Sequence, residues 1–446
     1  MDNIDIRETE PPGEDRPPSM PPRPVRAWRV AVIANVKGET KLPQDAPADA
    51  GAEFDRKETI EAIQAAIESD GHYVKFLSAD DNLPFALRDF CPDICFNIAE
   101  GISGDGREAQ VPALLEMLHI PYTASRVLAN AVGLDKTMTK RIWREQGLPT
   151  AAFQEFNSAD EPLNPALRFP MFVKPAREGT GMGMDSGAIV HDEESLRRRV
   201  AWVVESYQQP ALVEEFLPGR EFTVAVMGRA DAARYSRHPE WYAADGFHRF
   251  PILEVDNASS VTPGIYGYKA KTLHTGEEGV PGFLCPALVE PYLAEKLQNL
   301  AIRAHLAVGA LDVSRVDIRL DADGNPRLLE INTLPGLTPG FSDLCVIANA
   351  EGISYQDVIL EILNLGASRY GLLPERGQET EKPLRVPALM QRYASLPMDL
   401  ADASLLLLAE HLCHGRILTT DERDFGAYRF KGREPFQNLL LESRHG

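Results

Sequence analysis

The chain has 446 residues, 44% of them hydrophobic and 25% charged, with 46 basic against 66 acidic side chains for a net charge of −20 at pH 7. That length supplies core for roughly two to four domains, and the acidic balance excludes a general nucleic-acid or anionic-membrane surface while leaving room for local basic pockets. Cys91, Cys95, Cys285, Cys345 and Cys413 form no C-x-x-C pair and read as reduced thiols of a cytoplasmic protein, the first four as small core residues, and no apolar run reaches the length of a membrane span.

Residues 1–25 are polar and proline-rich, unlike a signal peptide, and read as a disordered tail. From Trp28 the pattern changes. "WRVAVIAN" is a buried strand, "EFDRKETIEAIQAAIESDG" a helix ending at Gly71, and "YVKFL" a second strand, which is a βαβ beginning. "PDICFNIAEG" is another strand that opens into the glycine-rich "EGISGDG", and "AQVPALLEMLHIPYT" returns as helix then strand. These elements define an open α/β domain over 26–128. Ligands of open parallel sheets gather where strands end, so Glu53, Glu100 and the 100–106 loop are candidates for substrate contact, solvation of a loop being the alternative.

"DKTMTKRIWREQGLPT" is a helix closed by Gly147 and Pro149, and the segments that follow mix strands and helices without a repeat, as expected of α+β domains over 129–228 and 229–368. In "VKPAREGTGMGM", Lys174 ends a strand, and Gly179, Thr180, Gly181 and Gly183 make a loop that can fold over phosphates. Neither a P-loop nor a dinucleotide fingerprint is present there, and a plain hairpin loop is the competing reading. "LVEEFLPGREF" places Glu214, Leu217 and Glu221 at a strand end, where a carboxylate can accept from ribose hydroxyls and backbone can read an adenine edge. Solvated turn charges are the alternative.

"RVDIRLDADGNPRLLEIN" alternates apolar and polar residues on both sides of Asp323-Gly324, the signal of a β-hairpin. With those two residues as the loop, Asp317 faces Glu330 and Arg315 faces Asn332, all on one side. Opposed carboxylates repel, so either the pair is solvated or a cation lies between them. Mg²⁺ fits, because it takes one or two carboxylates plus nucleotide phosphates.

In chain order, "EGISGDGREAQVPALLEMLHIPYTAS", "LDKTMTKRIWREQGLPT", "FVKPAREGTGMGM", "LVEEFLPGREFTV" and "SRVDIRLDADGNPRLLEINTLPGLTPGFS" resemble the motifs of the ATP-grasp enzymes, and among them the D-alanine–D-alanine ligase family, from about Trp28 to Leu365. The resemblance implies a pre-ATP-grasp α/β domain followed by a two-subdomain ATP-grasp fold. It implies a ligase that phosphorylates the carboxylate of a first amino acid and lets the amine of a second attack the acyl phosphate, in peptidoglycan precursor synthesis. It further implies ATP contacts at Lys136, Lys174, Glu214, Leu217, Glu221 and Lys271. Asp317, Glu330 and Asn332 would hold two Mg²⁺ or Mn²⁺ ions, Arg315, Gly336 and Thr180 would serve catalysis, and Glu53, Glu100 and Ser342 would meet the amino acids. Small-molecule substrates and a homodimer go with it. The chain departs from the family's pattern on the amino-acid side. "NVKGET" stands for the usual N-terminal run, Glu100 for a histidine, Thr180 for a serine and Thr272 for a lid tyrosine, so another amino acid or amine is an open alternative.

After a polar linker at 369–384, residues 385–446 resemble the second half of a PIN domain, with Asp402 and Asp421 at acidic positions that ligate metal in that family. The first half is not recognisable, so the segment reads as a fused remnant that packs on the ligase or binds a partner rather than as a nuclease. A ribonuclease or RNA-binding regulator and a nucleotide-binding scaffold are the rival classes; the acidic charge counts against the former, and intact Lys174, Arg315, Asp317, Glu330 and Asn332 against the latter.

Overall fold

The computed structural model describes residues 27–43, 46–47, 49–256, 282–373 and 400–411, with 416–417, 425, 427–430 and 434–438 toward the C-terminus. The 1–25 tail, residues 374–384 of the linker, Lys271, Thr272, Cys413 and Asp421 lie outside the described residues.

The N-terminal layer is a parallel sheet of order β2-β1-β3, formed by β1 (Arg29–Ala34), β2 (Tyr73–Ser78) and β3 (Ile94–Asn97). β1 is an almost uninterrupted apolar run because both its faces are covered. Helix α1 (Lys57–Glu68) buries Ile60, Ile63 and Ile67, a stripe at helical spacing. α2 (Leu83–Phe90), α3 (Gln110–Met117) and α4 (Val127–Leu134) follow. The strand expected at the end of "HIPYT" is reduced to a single bridge of Tyr122 to Cys95.

Helix α5 (Lys136–Glu145) starts where the Asp135 side chain accepts from Met138 N and stops near Gly147, whose φ is +66°. It leads into an antiparallel sheet of order β4-β7-β5-β6, from β4 (Phe153–Phe156), β5 (Met171–Pro175), β6 (Ile189–Val190) and β7 (Ala211–Glu215), with α6 (Glu193–Tyr207) between the last two. A second antiparallel sheet of order β10-β9-β8-β11-β12 contains β8 (Glu221–Met227), β9 (Leu253–Asp256), β10 (Gly282–Leu284), β11 (Val313–Leu320) and β12 (Pro326–Asn332). Helix α7 (Pro291–Ala307) covers it, with Pro291 in its first turn.

Helices α8 (Asp343–Ala350) and α9 (Tyr355–Arg369) bring the chain back onto the N-terminal layer. Ile359, Ile362 and Leu363 share one core with Val30, Val32, Ile63 and Ile67, each fully buried apolar side chain contributing about 1.5–3 kcal/mol. Buried Asp312 locks the return by accepting from Ala124 N at 3.0 Å and from Arg369 at 2.8 Å. Cys95 and Cys345 are buried as expected, whereas Cys91 and Cys285 are only half-buried.

The β11–β12 hairpin corrects the expected loop and keeps its consequence. Gly324 N donates to Asp321 O and Asp321 N to Asn325 O, so the loop spans Ala322 to Gly324, with Gly324 at φ +79°. This is a turn closed by a left-handed residue, one residue longer than a two-residue loop. Leu320 therefore pairs with Pro326 and Ile318 with Leu328, one position off the expected register. A bulge between Asp317 and Ile318 on the pairing ladder absorbs that residue. Asp317 still faces Glu330, and Arg315 still faces Asn332.

Candidate active site

The N-terminal layer, the two antiparallel sheets and α8 enclose a cavity of about 360 Å³. The hairpin supplies one side. Arg315 donates to Asp343 at 2.6 Å and to Asp317 at 3.2 Å, and Asp317 also accepts from Thr223 Oγ1 at 2.9 Å from the neighbouring strand β8. Glu330 lies 3.4 Å from the Lys136 ammonium. The buried amide nitrogen of Asn332 has no hydrogen-bond partner among the described residues, and flipping that amide, whose two ends have the same shape, would aim an oxygen acceptor instead. Two facing carboxylates and an amide oxygen make the hard-oxygen donor set of a divalent cation, so the residues present fit the metal.

Below the hairpin, Gly336 packs on Ser342: a Cβ added there would lie 2.9 Å from Ser342 Oγ. Ser342 itself precedes α8 and accepts from Thr338 N at 2.9 Å. Gly336, Ser342, Glu53, Glu100, Lys136 and Thr180 all line the cavity with Arg315, Glu330 and Asn332. Thr180 sits at φ +46° in the glycine loop, a backbone conformation that side chains rarely adopt.

A smaller pocket of about 50 Å³ lies on the far side of Lys174, lined by Phe172, Phe216, Leu217, Glu221 and Arg319 among others. Arg319 pairs with Glu221 at 3.3 Å. Glu214 departs from its expected part as an open acceptor. Its carboxylate is buried between Lys140 and Lys174, 2.8 Å from each. Burial works against its charge, but the two lysines outweigh it and hold the carboxyl at about 2. Burial lowers Lys140, and works against Lys174 as well, where Glu214 and Glu330 overcome it. Glu214 therefore fixes the Lys174 ammonium beside the pocket.

At the opposite end Glu53 forms an ion pair with Arg107, whose guanidinium also reaches Glu178 at 3.3 Å and the Arg177 carbonyl at 2.7 Å. Gly179 abuts Glu53 so closely that an added Cβ would lie 1.8 Å from Oε1. Glu100 and Glu108 line the same cavity. Burial, reinforced by Glu53 and Glu108, raises the Glu100 carboxyl well above its usual range, and burial raises Glu108 to about 7.

Sequence reading missed Lys140, Arg107, Glu108, Thr223 and Asp343. Lys140 carried a signal, since it stands four residues after Lys136 on one helix and so shares its face. Arg107 and Asp343 carried none, because they meet their partners across 54 and 28 residues. In the C-terminal segment helix α10 (Leu400–His411) forms, and Asp402 accepts from Tyr428 at 3.2 Å beside a small cluster of Ala403, Leu406 and Phe425. The structure and the comparisons do not show the PIN likeness.

Comparison with known proteins agrees with this geometry. Residues 142–364 match the family described as "D-ala D-ala ligase C-terminus". The D-alanine–D-alanine ligase of Brucella anthropi is 32% identical over 303 residues, covering 67% of this chain and 88% of its own, and that of Bordetella avium is 35% identical over 261 residues, covering 58% and 74%. The crystal structure of the Bacillus anthracis D-alanine–D-alanine ligase complexed with ATP superposes with a TM-score of 0.57 at 21% identity, over 77% of this chain and 99% of that one. Fold and site thus define an ATP-grasp enzyme, an ATP-dependent ligase that forms C–N bonds. The chain belongs to the D-alanine–D-alanine ligase family. Among the described residues no helix is long and apolar enough to cross a membrane.

Proposed function

We propose that this protein joins two amino acids through a peptide bond in the manner of D-alanine–D-alanine ligase, in the cytoplasm, at the expense of ATP and in peptidoglycan precursor synthesis. The observation that carries the reading is the facing of Asp317 and Glu330 across the hairpin, with Arg315 and Asn332 beside them and Lys136 opposite.

Asp317, Glu330 and Asn332 would hold the magnesium, which when bound neutralises the nucleotide phosphates. Lys136 and Lys174 contact those phosphates, Lys174 held in place by Glu214. Leu217 and Glu221, with Phe172 and Phe216, take the adenine and ribose side. The carboxylate of the first amino acid attacks the γ-phosphorus, ADP leaves, and the acyl phosphate forms. Phosphoryl transfer of this kind needs positioning and charge neutralisation more than a covalent residue. The amine of the second amino acid then attacks the acyl carbon, the phosphate leaves with the bonding pair, and the amine loses a proton. Arg315 and Gly336 N–H face the negative charge that develops on the acyl oxygen, and Thr180 closes over it. Ser342 holds the carboxylate of the second amino acid.

The test is an isotope experiment. Incubation with MgATP and an amino acid carrying ¹⁸O in its carboxylate is expected to yield dipeptide, ADP and phosphate in equal amounts, with one ¹⁸O in the phosphate. Dipeptide formation without label transfer would exclude the acyl phosphate; label-free ATP hydrolysis alone would exclude the ligase. A first substrate other than D-alanine is the second reading, favoured by the acids around Glu53.

A further inference from the structure

Resting on the ligase reading above, we propose that Glu100 and Glu108 form a subsite for a cationic side chain, so that the first amino acid is a basic one, a diamino acid such as ornithine or lysine, rather than alanine.

The side chains that line the cavity carry unequal charge. Its lining includes five carboxylates, Glu53, Glu100, Glu108, Glu330 and Asp343, against Lys136 and Arg315. Three of the five are paired: Asp343 with Arg315, Glu330 with Lys136, and Glu53 with Arg107 behind it. Arg107 is further engaged by Glu178. Glu100 and Glu108 have no ion-pair partner of their own: Arg107 acts on both, and Lys136 on Glu108, only at longer range. Among the described residues no side chain donates a hydrogen bond to either carboxylate and no cation lies within ion-pair distance of it. Glu108 is nevertheless only 8% exposed, and a buried carboxylate without a partner is costly.

Two observations tie this surplus to the first amino acid. Glu53, which the family resemblance sets against the amino acids, shares the cluster and would take the first amine: its charge and that of Glu108 both act on Glu100. Gly179 of the phosphate loop lies against Glu53 as well, which puts the cluster beside the position of the transferred phosphate. Glu53 suffices for one amine, so a substrate with a single ammonium leaves Glu100 and Glu108 uncompensated. A second ammonium on the side chain meets one of these two charges, and the other carboxyl keeps the proton that burial favours. Burial holds both carboxyls toward their neutral forms, and an entering cation would draw them toward the charged state.

The experiment compares charged amino acids with neutral ones of equal length: ornithine with norvaline, and lysine with norleucine, as D and L forms beside D-alanine, by phosphate release from MgATP. The expected result is a kcat/KM for one diamino acid at least about tenfold above its neutral counterpart and above D-alanine, as charge-assisted hydrogen bonds contribute. In Glu108→Gln and Glu100→Gln the ratio falls toward one through KM, while unchanged MgADP affinity shows that the variants are folded. Preference for D-alanine or for the neutral counterparts would overturn the subsite and leave the ligase standing. Release with no amino acid at all would overturn both.

Discussion

The two ends of the cavity treat charge differently. At the hairpin each charge has a partner: Arg315 bridges Asp317 and Asp343, and Glu330 faces Lys136. Around Glu53 four carboxylates, counting Glu100, Glu108 and Glu178, share the guanidinium of Arg107. Parts that handle ATP must meet the same phosphates whatever the acceptor, so their charges are closed in advance. On the reading proposed above, parts that select an amino acid are completed only by the ligand, and there the sequence departs from its family's pattern.

The contrast can be broken from either end. Replacing both facing acids, Asp317→Ala with Glu330→Ala, is expected to lower amino-acid-dependent phosphate release at least about a thousandfold, with the circular dichroism spectrum of the folded protein retained. Glu214→Gln strands two buried ammoniums, and equilibrium urea unfolding should record a loss of about 3–5 kcal/mol. A wild-type midpoint would mean that Lys140 and Lys174 do not depend on it. Gly179→Ala drives a methyl into Glu53, which Arg107 keeps from swinging away, and steady-state kinetics should show roughly a tenfold loss of kcat/KM.

The smallest effect concerns pH. A Glu108 carboxyl raised to about 7 from its ordinary 4.5 means that the folded protein binds the proton more tightly than the unfolded chain. Stability then falls as pH rises through that interval. Glu108→Gln removes the charge, so without ligand it should melt a few degrees above wild type at pH 8 and close to it at pH 4. Equal melting at both would place Glu108 in water.

The hairpin shows how much was legible. Period-two alternation around Asp323-Gly324 identifies both strands, but such a pattern cannot count a bulge, and the loop is one residue longer than a two-residue turn. The predicted facing of Asp317 and Glu330 survived because the bulge returned the residue that the turn had taken. The strand-end position of Lys174 and the glycine loop were readable for a similar local reason. Glu108 and Arg107 were not: they are neighbours in the short turn before α3, yet their significance depends on Glu53 and Glu178, which only the stacking of separate layers brings near.

Whether the paired acids of the hairpin serve an amino-acid-dependent ATP reaction can be read from phosphate release from MgATP across D- and L-amino acids, for the wild type and for the double variant at Asp317 and Glu330. Release is expected to require a particular amino acid and to vanish in the variant. Release independent of any amino acid, or unaffected by the loss of both carboxylates, would contradict that role.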